Sequence, residues 1–235
     1  MRHYSNMEQF ISITLELLSG LASSVFLFLF TLLFSLPLGL IICFATMAKF
    51  KPLSWLSQAI VLVLRGTPLM LQIFVIFYVP GLLFEFQWPS LATGNTWFDN
   101  TFSTRFIAAL VAFSINYAAY FSEIFRGGIL SIPKGQFEAG AVLGMSKKEV
   151  FFKVILLQMI KRIVPPMGNE IITLVKDTSL ANVIAVTELM FRAQQQLNKG
   201  LIWPIFYAGL FYLLFNALVT YLLKFTERKL EYIKV

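Results

Sequence analysis

The chain has 235 residues, 58% of them hydrophobic and only 13% charged, with a mean hydropathy of +0.76, which places it among integral membrane proteins and excludes an ordinary pair of soluble domains. A net charge of +7 would suit a nucleic-acid binder, but the basic residues fall beside the ends of apolar segments, so no nucleic-acid partner is expected. The single cysteine, Cys43, excludes an intrachain disulfide, and with only His3 beside it a metal cluster is implausible.

Glu8 and Glu16 precede the first apolar run, where a secretory leader would carry a basic region and a short apolar core, so no cleaved signal peptide is expected. Five apolar segments are long enough to cross a bilayer at about 20 residues per span: residues 21–47, 55–84, 105–125, 162–187 and 201–224. The expectation is an all-α integral membrane helical bundle in one domain, 1–235, with sizeable loops at 85–104 and 126–161. Phenylalanines such as Phe26, Phe28, Phe30 and Phe34 recur around whole helices and are read as lipid-facing or packed surface.

Arg65, Gly66, Thr67 and Pro68 interrupt the second segment. The Arg65 guanidinium can hold a substrate carboxylate bidentately, snorkel, or pair with a protein carboxylate. Thr67 stands beside a helix start at Leu69 whose free N–H groups suit a carboxylate. In the third segment Asn116, Tyr117 and Tyr120 face either the bundle interior or a partner subunit, and Glu123 forms an i,i+3 pair with Arg126.

The loop that follows is a helix, a turn and a second helix. Pro133 suits a first helical turn, and Gly135, Ala139, Gly140, Ala141 and Gly144 let another backbone approach closely. Ser146 and Glu149 form a capping-box pattern that starts the second helix at Lys147.

In the fourth segment, counting about 1.5 Å per residue from Arg162 puts Lys176 and Asp177 roughly 21 Å into a bilayer about 30 Å thick. Charges at that depth either neutralise one another or line a polar cavity. Pro165 and Pro166 remove two backbone donors, and Thr178, Ser179 and Asn182 follow the charges, so this segment is expected to be interrupted and to line a cavity, an ordinary proline kink being the alternative. Glu188 ends the segment near the outer surface, where it attracts an amino group or is simply solvated.

Lys49, Lys51, the basic residues between Arg126 and Arg162, and the tail with Lys224, Arg228 and Lys229 share one side of a five-span topology. By the positive-inside rule that side is the cytoplasm, with the N-terminus outside and the C-terminus inside. Residues 85–104 hold no Lys or Arg and carry Trp88 and Trp97 as interfacial anchors, whereas Arg192 and Lys199 are exceptions on the outer side. The sequence has no Gly-Lys-Ser/Thr phosphate loop, so any ATP is bound by another polypeptide.

The stretch KGQFEAGAVLGMSKKEVFFKVILLQ, 134–158, resembles the EAA loop of bacterial ATP-binding cassette importer permeases. The pattern Glu-Ala-Ala, three residues, Gly, nine residues, Ile-x-Leu-Pro stands here as Glu138, Ala139, Gly140, then Gly144, then Val154 to Leu157; Gly140 replaces the second Ala, Val154 the Ile and Leu157 the Pro. RGTPLMLQIF (65–74), NYAAYFSEIFRGGILSIPKGQFEAG (116–140), LGMSKK (143–148) and KDTSLANVIAVTEL (176–189) are similar to the polar amino acid permeases of that superfamily, those for histidine, glutamine, glutamate, arginine and opines.

The resemblance implies a type I importer permease fold in the bacterial cytoplasmic (inner) membrane. It also implies a second permease subunit, identical or similar, an ABC ATPase dimer that holds the ATP, and an extracytoplasmic amino-acid-binding protein. No cofactor would sit on this chain, and the chain would be no enzyme by itself. Glu138, Ala139, Gly140 and Gly144 would lie on a coupling helix that fits a groove on the ATPase. A polar amino acid needs acceptors for its ammonium and donors for its carboxylate, and Arg65, Thr67, Lys176, Asp177, Thr178, Ser179 and Glu188 are the candidate set. The rival readings are a membrane-embedded hydrolase using Asp177 or Ser179, and a passive channel or scaffold. The sequence has no HExxH and no GxSxG, and its one histidine lies outside the spans.

Overall fold

The computed structural model describes residues 2–90 and 93–230, with side chains from Met7 onward. Among the described residues all regular structure is helical. It comprises α1 (Arg2–Thr46), α2 (Lys51–Gly66), α3 (Leu69–Phe84), α4 (Thr96–Thr101), α5 (Thr104–Leu130), α6 (Gly135–Val142), α7 (Lys147–Val150), α8 (Leu156–Asp177), α9 (Leu189–Asn198) and α10 (Trp203–Leu230), with a π-turn at Phe151–Ile155 and a 3-10 segment at Thr178–Ile184.

The centre of the bundle is α5, started by Ser103, whose hydroxyl accepts from Phe106 N. Its Phe106, Ala109, Phe113, Tyr117 and Phe121 are buried in the main apolar core with Leu27 and Phe28 of α1, Leu174 of α8 and Val219 of α10. The approach of α1 to α5 is close enough that a Cβ at Gly39 would stand 3.0 Å from Ala118 O and from Phe121 Cβ. Small residues permit such contact between membrane helices.

The first helix is much longer than the expected span at 21–47: it runs for 45 residues, roughly 67 Å. The extension is held by a second apolar cluster, in which Ile13 and Leu17, one turn apart, meet Leu189 and Ala193 of α9 and Ala208 of α10. Glu16 takes part in the same contact, accepting a hydrogen bond from Gln196.

Helices α2 and α3 meet at a bend of 109°. Thr67 precedes a proline and is extended (φ −114°, ψ 148°), the conformation that a following proline imposes. The broken helix end is sealed by side chains: Gln72 Nε2 donates to Leu64 O and to Thr67 Oγ1, both at 2.8 Å, and Asn116 Nδ2 donates to Leu64 O at 3.1 Å and to Gln72 Oε1 at 3.0 Å. Non-helical backbone at membrane depth requires this kind of satisfaction.

Among the described residues, three helices are long and apolar enough to cross a membrane, Met7–Thr46, Thr104–Leu130 and Trp203–Leu230, or four if the bent α2–α3 pair is one span. The anticipated fourth span, 162–187, does not meet that test, because α8 carries Lys161, Arg162, Glu170, Lys176 and Asp177 and one of its faces is polar. Nor do Pro165 and Pro166 interrupt it; α8 continues through both. The interruption falls at Asp177, where the chain tightens into the 3-10 segment and ends at Ala185 with φ +57°.

A left-handed alanine costs about 1 kcal/mol relative to glycine. Ala185→Gly is therefore expected to raise the detergent-solubilised unfolding midpoint by a few degrees, read by thermal denaturation.

The loop after α5 folds as helix, turn, helix. Gly144 closes α6 at φ +73°, and Met145 N donates back to Gly140 O at 3.0 Å. The capping box is complete: Glu149 N donates to Ser146 Oγ at 3.3 Å, and Ser146 N donates to Glu149 Oε2 at 3.0 Å. That Ser146 N–H, with Lys153 and the Ser146 hydroxyl, holds the Glu149 carboxyl down at about 2, from an ordinary value of 4.5. A depressed carboxyl supports the box fully above 4.5 and releases it as pH falls through about 2.

Candidate functional site

The α2–α3 bend faces the end of α8 across α5, and a cleft of about 620 Å³ lies between them. Arg65 and Thr67 line it from the bend, Asn116, Tyr117 and Tyr120 from α5, and Glu170, Thr173 and Asp177 from α8. Glu170, Thr173 and Asp177 follow one another at i, i+3 and i+7, so they form a single stripe along the helix. Asp177 Oδ2 accepts from Tyr117 Oη at 2.8 Å.

The Arg65 guanidinium lies 5.0 Å above the Tyr120 ring and 3.9 Å from Glu123 Oε2. Glu123 is the bidentate partner of Arg126, at 3.0 and 2.6 Å, the i,i+3 pair expected from the sequence. On the far side of Arg65 and Tyr120 a second cleft of about 780 Å³ opens toward Trp55, Gln58, Glu123 and Arg126.

Of the seven candidate substrate residues, Arg65, Thr67 and Asp177 come together in the first cleft and the other four do not line it. Thr67 is engaged with its own break, donating to Val63 O at 2.8 Å and accepting from Gln72. The Thr178 side chain is buried and donates to Val175 O at 2.8 Å, and Ser179 donates to Lys176 O at 2.7 Å. Lys176, about 100° from Asp177 around the helix, is exposed.

Glu188 is neither exposed nor solvated, contrary to the reading of the sequence. Its relative exposure is 0%, and it caps α9 by accepting from Met190 N at 2.7 Å and Phe191 N at 2.6 Å, with Tyr212 Oη at 2.9 Å. Glu170 and Thr173 were missed; their spacing to Asp177 was the available signal.

In the loop, Glu138, Ala139 and Gly144 are exposed while Gly140 is buried. The glycine in place of the pattern's second alanine has a local cause, since a Cβ there would lie 2.3 Å from Val150 Cγ2. Val142 and Leu143, at 88% and 77% exposure, present bare apolar side chains at the end of α6, a feature the sequence reading did not single out.

An all-helical bundle with a polar cleft beside a broken helix, and an exposed helix-turn-helix between two long helices, defines a membrane permease component. The chain belongs to the family of binding-protein-dependent transport system inner membrane components, whose pattern it matches over residues 35–232. It is accordingly a multi-pass inner membrane protein. It is 40% identical over 176 residues to the L-cystine transport system permease protein TcyB of Bacillus subtilis, covering 75% of this chain and 68% of that one. To the arginine transport system permease protein ArtQ of the same organism it is 34% identical over 217 residues, covering 92% of each.

Among solved structures, an amino acid ABC transporter shares the fold at a TM-score of 0.78 and 28% identity over 94% of this chain and 97% of that one. The MetNI methionine ABC transporter shares the fold at a TM-score of 0.64 and 16% identity, covering 95% and 98%.

Proposed function

We propose that this chain is the permease subunit of an ATP-driven importer that moves polar amino acids into the cytoplasm. The observation that carries the reading is the cleft at the α2–α3 break, where a guanidinium and the first turn of α3 face the carboxylates of α8. The Arg65 side, with the unpaired N–H groups that open any helix, accepts a carboxylate; the Asp177 side accepts an ammonium. The chemistry is binding and gating, with no bond broken. A hydrolase at Ser179 or Asp177 is disfavoured because the serine donates to its own backbone and the aspartate is tied to Tyr117.

In this reading two permease subunits, identical or similar, pair in the membrane, with the N-terminus outside and the loop 126–161 and the C-terminus in the cytoplasm. An ATPase dimer binds the ATP and docks on Glu138, Ala139, Gly140 and Gly144, and a binding protein delivers the amino acid from outside. Closure of the ATPase pair turns the cleft outward, and hydrolysis returns it inward. The names of the relatives, arginine and cystine permeases among them, support this substrate class.

Co-expression with candidate ATPases tests the assignment. The wild type is expected to copurify with one of them and to drive ATP-dependent amino acid uptake in vesicles. Glu138→Arg, a charge reversal on an exposed residue of α6, is expected to lose both, because a like-charge contact at a docking surface costs several kcal/mol. Failure of the wild type to find any ATPase would restore the channel and enzyme readings.

A further inference from the structure

From Lys147 to Asp177 the chain is helical without a break, yet the run is not uniform. Between α7 and α8 it widens into the π-turn Phe151–Ile155, where Leu156 N donates to Phe151 O, five residues back. No proline lies between Lys147 and Val164 to force that departure. Nor do neighbours packed on the turn: Phe151, Phe152 and Lys153 are exposed, Phe152 at 63%.

The turn separates two anchors. On its N-terminal side Val150 packs against Gly140, which joins α7 to α6. On its C-terminal side Met159 and Ile163 lie against Gly128, where an added Cβ would fall 3.6 Å from Met159 Cγ and 2.3 Å from Ile163 Cγ1. There Arg162 Nη1 also donates to the carbonyl of Ser131, the C-cap of α5. Helices α6 and α7 thus form one body, and α5 with α8 another. Two short links join them, residues 131–134 and the π-turn. Between the bodies lies a small cluster of Ile132, Val150 and Ile155 with Met145 and Met159, and methionine is the side chain that repacks most readily.

Holding both anchors does not require the extra residue. Val150 and Ile155 belong to the same buried cluster, although five residues of α-helix would leave them about 140° apart. The π-turn absorbs one residue and restores the alignment. A plain α-helix one residue shorter would place the pair at i and i+4 and align them equally well. The turn is therefore surplus to the packing, and what it adds is a loosened hydrogen-bond ladder between two packed bodies.

We infer that the π-turn Phe151–Ile155 is the hinge about which α6 and α7 move against the bundle, so that the proposed coupling to the ATPase passes through it. The inference rests on the importer reading and deepens it by naming the element that flexes. From the hinge, α8 leads directly to Glu170, Thr173 and Asp177 on the wall of the cleft.

Deletion of Phe152 is the test, because it closes the turn into α-helix and leaves both anchors aligned. In the purified complex the deletion chain is expected to keep its copurified ATPase and an unfolding midpoint within a few degrees of the wild type. Its ATP-dependent amino acid uptake is expected to fall by at least about tenfold. Phe152→Ala, which preserves the residue count, is expected to retain uptake within about twofold. Hydrogen exchange reads the hinge without transport: the amides of residues 151–156 are expected to exchange at least about tenfold faster than those of 158–163 in the wild type, and at a similar rate in the deletion chain.

Full uptake by the deletion chain, loss of its ATPase or of its thermal stability, an equal loss of uptake in Phe152→Ala, or equal exchange of the two segments in the wild type would each overturn the hinge. The importer reading is judged separately, on the wild type. A wild-type chain that finds no ATPase or drives no uptake sinks that reading and the coupling role with it, whatever the exchange rates.

Discussion

Glu188→Ala is expected to lower the unfolding midpoint of the purified protein by about 10 °C, for a loss of about 3 kcal/mol. The carboxylate is fully buried and receives Met190 N, Phe191 N and the Tyr212 hydroxyl. Loss of an N-cap alone costs about 1 kcal/mol, and each buried donor left without a partner adds about 1 to 3 kcal/mol. Relief of the buried charge offsets part of that sum. Glu188→Gln, which keeps one carbonyl acceptor, is expected to fall between the two. Amino acid affinity of the surviving Glu188→Ala protein is expected to stay within about twofold of wild type, since Glu188 does not line the cleft. A large affinity change with normal thermal stability would return Glu188 to the substrate site.

The features legible in the sequence are those fixed by near neighbours. Pro68 dictates the extended Thr67, and Ser146 with Glu149 dictates the start of α7; both signals act within three residues. The Glu123–Arg126 pair is one helical turn and was equally readable. Features set by distant partners were not. Nothing local says that α1 should continue through Glu8 and Glu16, because its extension is held by α9 and α10 across far more than a hundred residues of chain. Glu188 looked solvated for the same reason: its burial depends on α1 and α10, which supply Ser24 and Tyr212.

The cleft itself was half legible, and helix geometry explains which half. Depth in the fourth segment pointed to Lys176 through Ser179 as a group, but consecutive helical residues point in different directions, so they cannot share one wall. The hydroxyls of Thr178 and Ser179 also had nearby carbonyls to satisfy them at the helix end, which is the usual fate of such residues there. Reading α8 by face would have kept Asp177, set aside its neighbours, and added Thr173 and Glu170. That same stripe is why a helix of modest apolarity can sit in a membrane bundle: its polar face borders the cleft, while Leu174 and Val175 are fully buried.

Gly140→Ala is expected to reduce ATP-coupled uptake by about tenfold, and Val150→Ala in the same chain to restore it to within about twofold of wild type. Helix α6 packs on α7, and the contact includes Gly140, where an added Cβ would fall 2.3 Å from Val150 Cγ2 and 3.1 Å from Val150 Cγ1. Valine is stiff at χ1 and cannot swing clear, so the overpacking, about 1 to 3 kcal/mol, is relieved by displacing α6 from α7. That displacement carries Glu138, Ala139, Val142 and Leu143, the exposed residues of the proposed docking helix or its end, out of register with an ATPase groove. Val150→Ala alone removes two methyl groups from a small cluster with Ile132 and Ile155 and is expected to cost less than half of the uptake. The double substitution exchanges one methyl for two across the contact and returns α6 to its seat. Copurification of the ATPase should follow the same pattern as uptake. Full uptake by Gly140→Ala, or failure of Val150→Ala to rescue it, would show that the seat of α6 on α7 does not set the coupling.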